Sequence, residues 1–131
     1  MNLLLDTHIW LWSLLEPQRL SRRVAKALAD ARNELWISPI STWEILILCR
    51  KGRLVLNSSP AAWILAALNN APLREATLTH EVAVAAETLI LPHHDPADNF
   101  LAASAEVYGL TLVTADENLA AGKQYAIFLN Q

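Results

Sequence analysis

Apolar residues along this chain follow two rhythms. Short unbroken runs, Leu3-Leu4-Leu5, Leu35-Trp36-Ile37-Ser38 and Leu110 to Thr114, show no alternation of wet and dry positions. A strand of that kind has both faces covered by protein, as in the interior of a parallel sheet. Between the runs, apolar residues recur at helical spacing. Leu20, Val24, Ala27, Leu28 and Ala31 form one such series, with Ser21 as its N-cap. Other helices are expected from just after Asp6 through Trp10, Trp12 and Leu15 to Pro17, and from Ser41-Thr42-Trp43-Glu44 through Leu48 and Cys49 to Gly52. Ser59-Pro60 and Asp95-Pro96 are cap-plus-proline starts, for helices reaching about Asn70 and Tyr108. Thr79 caps a helix to about Leu89, and a short helical turn covers Glu117 to Ala121. Weaker strands are expected over Leu73 to Leu78 and Tyr125 to Leu129. Strands alternating with helices predict an α/β fold, a three-layer α/β/α sandwich on a central, mostly parallel sheet.

The chain has 131 residues, which suits a single domain over 1–131. Hydrophobic residues make up 53% and five tryptophans are present, so part of the surface is expected to meet another chain. No apolar run approaches the ~18 residues of a membrane helix, and the N-terminus has no basic leader. The expected address is therefore cytoplasmic. The single cysteine, Cys49, excludes an internal disulfide and reads as a covered thiol in an apolar helix.

Charge is distributed unevenly. Residues 1–53 hold eight Lys/Arg against five Asp/Glu, whereas residues 54–131 hold two against eight. Contact with a nucleic acid would then fall to the first half. Arg19, Arg22, Arg23 and Lys26 recur along one helix face, either as a solvated surface or as a stripe facing phosphates.

The chemistry is expected where strands end. Asp6 follows the first leucine run and Asp116 follows Leu110 to Thr114. Ligands of open α/β sheets bind outside the carboxyl ends of strands. If those two strands are neighbours, the carboxylates approach to roughly 5 Å and repel by about 3 kcal/mol at an effective dielectric near 20. A raised pKa, a basic partner or a bound cation resolves such a conflict. The only Lys or Arg in the second half, Arg74 and Lys123, lie at no predicted strand end, which favours the cation. Glu44 and Asp98 are the further candidates. Each is expected in the first turn of a helix, Glu44 in a capping box with Ser41 and Asp98 at N3 after Asp95. Carboxylates with open positions suit Mg²⁺ or Mn²⁺, which can activate water against a phosphodiester. Thr7 and Thr114, beside the strand-end acids, are placed to hold carboxylates or waters. His93-His94 has neither a cysteine partner nor H-E-x-x-H spacing, so zinc is disfavoured.

Four segments in order, Leu3-Leu4-Leu5-Asp6-Thr7-His8, Ser38-Pro39-Ile40-Ser41-Thr42-Trp43-Glu44-Ile45, Asp95-Pro96-Ala97-Asp98 and Leu112-Val113-Thr114-Ala115-Asp116, together with Lys51-Gly52-Arg53-Leu54, resemble the PIN-domain nucleases. They are most similar to the toxin half of VapBC-type toxin–antitoxin pairs. The resemblance implies an endoribonuclease dependent on Mg²⁺ or Mn²⁺, with the acidic quartet on Asp6, Glu44, Asp98 and Asp116, and Asp6 and Asp98 as leading metal ligands. It also implies an RNA substrate, a homodimer and a cognate antitoxin protein. The sequence departs from the family at Asn99, where arginine is common, which removes a charge expected to touch a phosphate or a neighbouring acid. A non-catalytic PIN-like module, docking RNA or protein without cutting, is the alternative; its mark would be a missing acid, and all four are present. A haloacid-dehalogenase-type phosphatase would need a second aspartate where His8 stands.

Overall fold

The three leucines of the first run divide between two cores. In the computed structural model, which describes residues 1–131, five strands form one sheet. They are β1 (Asn2–Leu5), β2 (Glu34–Ile37), β3 (Leu73–Glu75), β4 (Thr111–Thr114) and β5 (Ala126–Leu129). All neighbours pair in parallel, in the order β3-β2-β1-β4-β5. Successive side chains of a strand point to opposite faces. Leu3 and Leu5 therefore join Val24, Ile37, Ile45 and Ile64 on one side, while Leu4 joins Val82, Leu101 and Leu112 on the other.

Helices cover both faces. α1 (Thr7–Leu15), α2 (Arg22–Ala29), α3 (Pro39–Arg50) and α4 (Pro60–Asn69) supply Ile9, Val24, Ile45 and Ile64 to the first core. α5 (His80–Thr88), α6 (Pro96–Tyr108) and α7 (Glu117–Ala120) supply Val82, Leu101 and Leu119 to the second. The expected α/β/α sandwich is present, with every strand parallel.

Most helix starts fall where the capping residues place them. Ser21, Ser59, Thr79 and Asp95 each accept a hydrogen bond from a first-turn amide, and Gly109 closes α6 at φ 64°. The start of α3 does not. Ser38, not Ser41, is its cap, accepting from the Ile40 amide, and Pro39 takes the first helical position. This is the same serine–proline signal as at Ser59-Pro60. Ser41 is buried inside the helix, and Glu44 consequently lies beyond the first turn, outside any capping box.

The edge strand β3 stops at Glu75, short of Leu78, and α2 ends at Ala29, before Ala31. Beyond α2, Arg32 donates two side-chain hydrogen bonds to Asp30, forming a turn that competes with another helical residue. A 3-10 turn over Pro17–Arg19 joins α1 to α2. Cys49 is partly covered rather than fully buried. No helix is long and apolar enough to cross a membrane.

Because Leu4 is wholly buried in the central strand, Leu4→Ala removes contacts that no neighbour can replace without moving. The expected cost is about 3 kcal/mol, read as a shift in the urea unfolding midpoint. A loss below about 1 kcal/mol would show that β1 is not the centre of the core.

Candidate active site

The chain enters the sheet at β1, builds outward through β2 and β3, then returns to add β4 and β5 on the other side. The order reverses between β1 and β4, and the crevice outside their carboxyl ends is where such sheets accept ligands. Leu5 pairs with Val113 there, and the Asp6 amide donates to the Val113 carbonyl at 3.0 Å. The next residues turn into helices, so acids at this edge also cap helix starts.

Asp6 caps α1, its Oδ1 accepting from the Thr7 amide at 2.7 Å. Its Oδ2 accepts from Thr114 Oγ1 at 2.8 Å, and the same threonine oxygen accepts from the Asp116 amide at 2.9 Å. Thr114 thus links the acids that follow β1 and β4. Thr7 Oγ1 lies 2.6 Å from Glu44 Oε1 and 2.9 Å from Ser41 Oγ. A hydroxyl has one proton, so Thr7 donates to the carboxylate and accepts from Ser41. The burial of Ser41 thereby serves to place Glu44. Thr7 and Thr114 thus each hold one carboxylate by a hydrogen bond.

Asp98, on the first turn of α6, is held by a residue that sequence reasoning missed. Asn118 Nδ2 donates to Asp98 Oδ2 at 2.9 Å and to the His93 carbonyl at 3.1 Å, while its Oδ1 accepts from the His93 amide at 2.8 Å. Its own amide donates to Asp116 Oδ1 at 2.8 Å. One buried asparagine therefore ties two acids and the preceding loop together. Only its position two residues after Asp116 hinted at this role, and that spacing is common at helix starts.

Charge at this crevice is stressed. The Asp6 pKa is pushed up to about 7, chiefly by burial and then by Asp98 and Glu44, against the opposing bonds from Thr114 and the Thr7 amide. Asp98 is pushed up to about 6, chiefly by burial, then by Asp95, Asp116 and Glu44. Glu44 is also raised, first by burial, with Asp95 and Asp116 adding to the effect and His8 opposing it. The Tyr125 phenol, which donates to the Leu119 carbonyl at 2.6 Å, is pushed up to about 12 by burial, Asp98 and Asp116. Each ion pair lies elsewhere: Arg19 with Glu16, Arg32 with Asp30, and Arg74 with Glu34. No lysine or arginine neutralises the quartet directly.

A profile for the PIN domain matches residues 3–123. The chain belongs to the PIN-domain family. It is 34% identical over 121 residues to Ribonuclease VapC22 of Mycobacterium tuberculosis, covering 90% of this chain and 89% of that one. Its fold is similar to that of VapBC2 from Rickettsia felis bound to a promoter DNA fragment (TM-score 0.68, 17% identity, 98% of each chain). It is also similar to DNA-bound VapBC from Salmonella typhimurium (TM-score 0.67, 16% identity, 98% of each chain).

Other features of this PIN domain depart from the sequence-based expectations. Asn99 is turned away from the acids: its Nδ2 donates to the Ala86 and Leu89 carbonyls at 3.0 and 3.4 Å, fastening the end of α5 to α6. The Asn99 amide nitrogen therefore serves packing between these helices. Arg19 does not share a cavity with Arg23 and Lys26. Arg19 lines a cavity with Asp6 and Asp116, whereas Arg23 and Lys26 line another with Met1 and Asn33, at the amino ends of the strands.

Asp6 is the most strained charge here, and its effect on stability has a definite sign. Its folded pKa, about 7, exceeds its ordinary 3.8, so the folded state keeps a proton that the unfolded chain releases. The stability this proton confers is present below about pH 4 and lost as pH rises to about 7. Asp6→Asn keeps a cap acceptor and removes the charge. With EDTA present, the variant should gain stability over the parent as pH rises from 4 to 7, reaching on the order of 4 kcal/mol and levelling above that. Chemical denaturation at each pH measures the difference, and a constant offset would show that Asp6 is not desolvated.

Proposed function

We propose that this PIN-domain protein is a divalent-metal-dependent endoribonuclease that hydrolyses RNA phosphodiester bonds, acting as the toxin of a toxin–antitoxin pair. The observation that carries this reading is the convergence of Asp6, Glu44, Asp98 and Asp116 on the β1–β4 crevice, three of them with raised pKa values and none paired with a base. Its relative VapC22, at 34% identity, bears the name ribonuclease.

The donor set fits a hard dication such as Mg²⁺ or Mn²⁺, being all oxygen and without a counter-charge. No three His, Cys, Asp or Glu side chains are drawn tightly enough to enclose an ion by themselves. Asp6 and Asp98 would be the direct ligands, with water completing the shell. When bound, such an ion supplies Lewis acidity, activating water and offsetting charge on the phosphate.

The protein groups do the rest. Thr114 fixes Asp6 Oδ2, and Asn118 fixes Asp98 Oδ2, so neither carboxylate must be ordered when substrate arrives. Thr7 holds Glu44 by Oε1. Burial raises the pKa of this carboxylate, which makes it a stronger proton acceptor for a nearby water. Asp116 accepts from the Asn118 amide with Oδ1, so its Oδ2 would be the oxygen available to a bound ion.

A cytoplasmic toxin of this kind would be held in check by an antitoxin and would pair with a second copy. Exposed apolar side chains such as Trp43 and Leu65, 54% and 60% exposed, suit such contacts.

The purified full chain, freed of any bound protein, should cleave RNA with Mg²⁺ or Mn²⁺, stop with EDTA and resume when metal is restored. Asp6→Asn and Asp98→Asn should each lower the rate by roughly 10²–10³-fold while circular dichroism is unchanged. RNA binding without cleavage in either metal would establish the non-catalytic module instead. Cleavage surviving EDTA, or an unfolded Asp6→Asn protein, would remove the metal role from the quartet.

A further inference from the structure

A cavity of about 530 Å³ runs beside α2 toward the amino ends of the strands and has no part in the proposed chemistry. Its charged lining is Arg23, Lys26 and Arg32 against a single acid, Asp30. Arg32 is already engaged, donating to the two Asp30 oxygens at 3.0 and 2.8 Å. The positive excess therefore rests on Arg23 and Lys26, neither of which has an ion pair. Glu34, the next acid along the chain, lies with the core on the opposite face of the sheet, where it pairs with Arg74 at 3.0 Å and accepts from the Trp36 indole at 3.2 Å.

Helix physics does not account for these cations. Lys26 lies in the last turn of α2, where the helix dipole favours positive charge, but Arg22 and Arg23 occupy the first turn, where the dipole opposes it. No acid stands in that turn to compensate. Arg22 and Arg23 also precede Lys26 by four and three residues, spacings at which like charges on a helix repel. Three exposed cations on one short helix gain nothing from one another, and an anion would relieve all of them. The cavity is also built: the Arg23 guanidinium lies 5.1 Å from the Phe128 ring centroid, and Asn33 Nδ2 closes the end of the helix by donating to the Ala27 carbonyl at 2.9 Å.

α2 connects this cavity to the acids. The Ser21 amide at its start donates to Asn130 Oδ1 at 2.6 Å, just beyond β5, and the turn before it ends on Arg19, which lines the cavity of Asp6 and Asp116. Arg19 is paired with Glu16 and only marks the route. The helix itself is eight residues, a span of about 12 Å that a strand of RNA leaving the crevice covers within a few nucleotides. We infer that RNA beyond the scissile phosphate follows the outer face of α2 and is held there by its phosphates at Arg23 and Lys26. Phosphate contacts carry no sequence information, so this cavity sets a minimum length of substrate and reads no base. The inference rests on the ribonuclease reading and adds to it a second point of attachment remote from the acids.

The test begins with binding in EDTA, read by fluorescence anisotropy, where nothing is cleaved and the unneutralised acids repel RNA. The probes are a labelled oligouridylate of about twelve nucleotides and an abasic oligomer of equal length. Both should bind the parent protein with similar affinity, because only phosphates are held. Arg23→Gln combined with Lys26→Gln should weaken both about tenfold and lower the slope of log affinity against log salt by about 1.4, the contribution of two phosphates on a single strand. Asp30→Asn, which removes the only acid lining the cavity and keeps an acceptor for Arg32, should tighten both about threefold, a gain that misfolding cannot mimic. With Mn²⁺, the parent's KM should be about tenfold lower for the oligouridylate than for one of about four nucleotides, and the double variant should erase that difference. Unchanged affinity in the double variant, weaker binding by Asp30→Asn, or a KM difference that survives would overturn the path along α2 while leaving the nuclease reading intact. A parent protein that binds through α2 but cleaves no RNA would overturn the nuclease reading and keep the patch. Binding of tripolyphosphate without binding of either oligomer would assign the cavity to a free phosphate compound and overturn the RNA path.

Discussion

A carboxylate deprived of water, at the one place where the sheet reverses its order, is the constraint from which the rest of this structure can be read. Asp6 is 7% exposed and has no cationic partner. Its charge is supported only by the Thr114 hydroxyl and the Thr7 amide, and these do not offset burial and two neighbouring acids. Burying an unpaired charge is among the most costly things a fold can do. Here the cost is tolerated because both cores close around β1, which fixes the position of the residue that follows it.

The sheet makes the convergence unavoidable. In a parallel sheet every strand delivers its carboxyl end to the same edge, and every following helix begins there. Asp6 and Asp116 follow β1 and β4, and Asp95 and Asp98 open the helix that precedes β4. Helix starts concentrate unpaired amides, and these favour nearby negative charge. The fold thus gathers acids and partly compensates them, leaving a net deficit of positive charge in the crevice. The raised pKa values of Asp6, Glu44 and Asp98 express that deficit.

Much of this was legible in the residues because the signals are local. Unbroken apolar runs marked β1, β2 and β4, and serine, threonine or aspartate caps marked most helix starts. The start of α3 was misplaced because Ser38 and Ser41 both resemble caps, and only burial separates the one that accepts the amide from the one that props Thr7. What could not be read were polar pairs distant in sequence. Asn118 reaches Asp98 across 20 residues, and Asn130 reaches Arg19 across 111. No periodicity encodes such contacts. The basic residues divide for a related reason. Helical spacing placed Arg19 with Arg22, Arg23 and Lys26, but a 3-10 turn separates Arg19 from α2 and leaves it on the crevice while Arg23 and Lys26 follow the helix to the opposite edge.

The acids pose a sharper question, since a cap and a metal ligand look like rival explanations of the same residue. The hydrogen bonds make them compatible. Asp116 engages Oδ1 with the Asn118 amide, and Asp6 engages Oδ1 with that of Thr7. A carboxylate has two oxygens, and fixing one by a backbone amide also fixes the direction of the other. In Asp6 that second oxygen meets Thr114, beside the other acids, and in Asp98, which caps nothing, Asn118 supplies the orienting bond that the helix does not. Helix capping at this edge is therefore a means of aiming carboxylate oxygens before any ligand arrives, at the cost of the electrostatic strain that a cation would relieve.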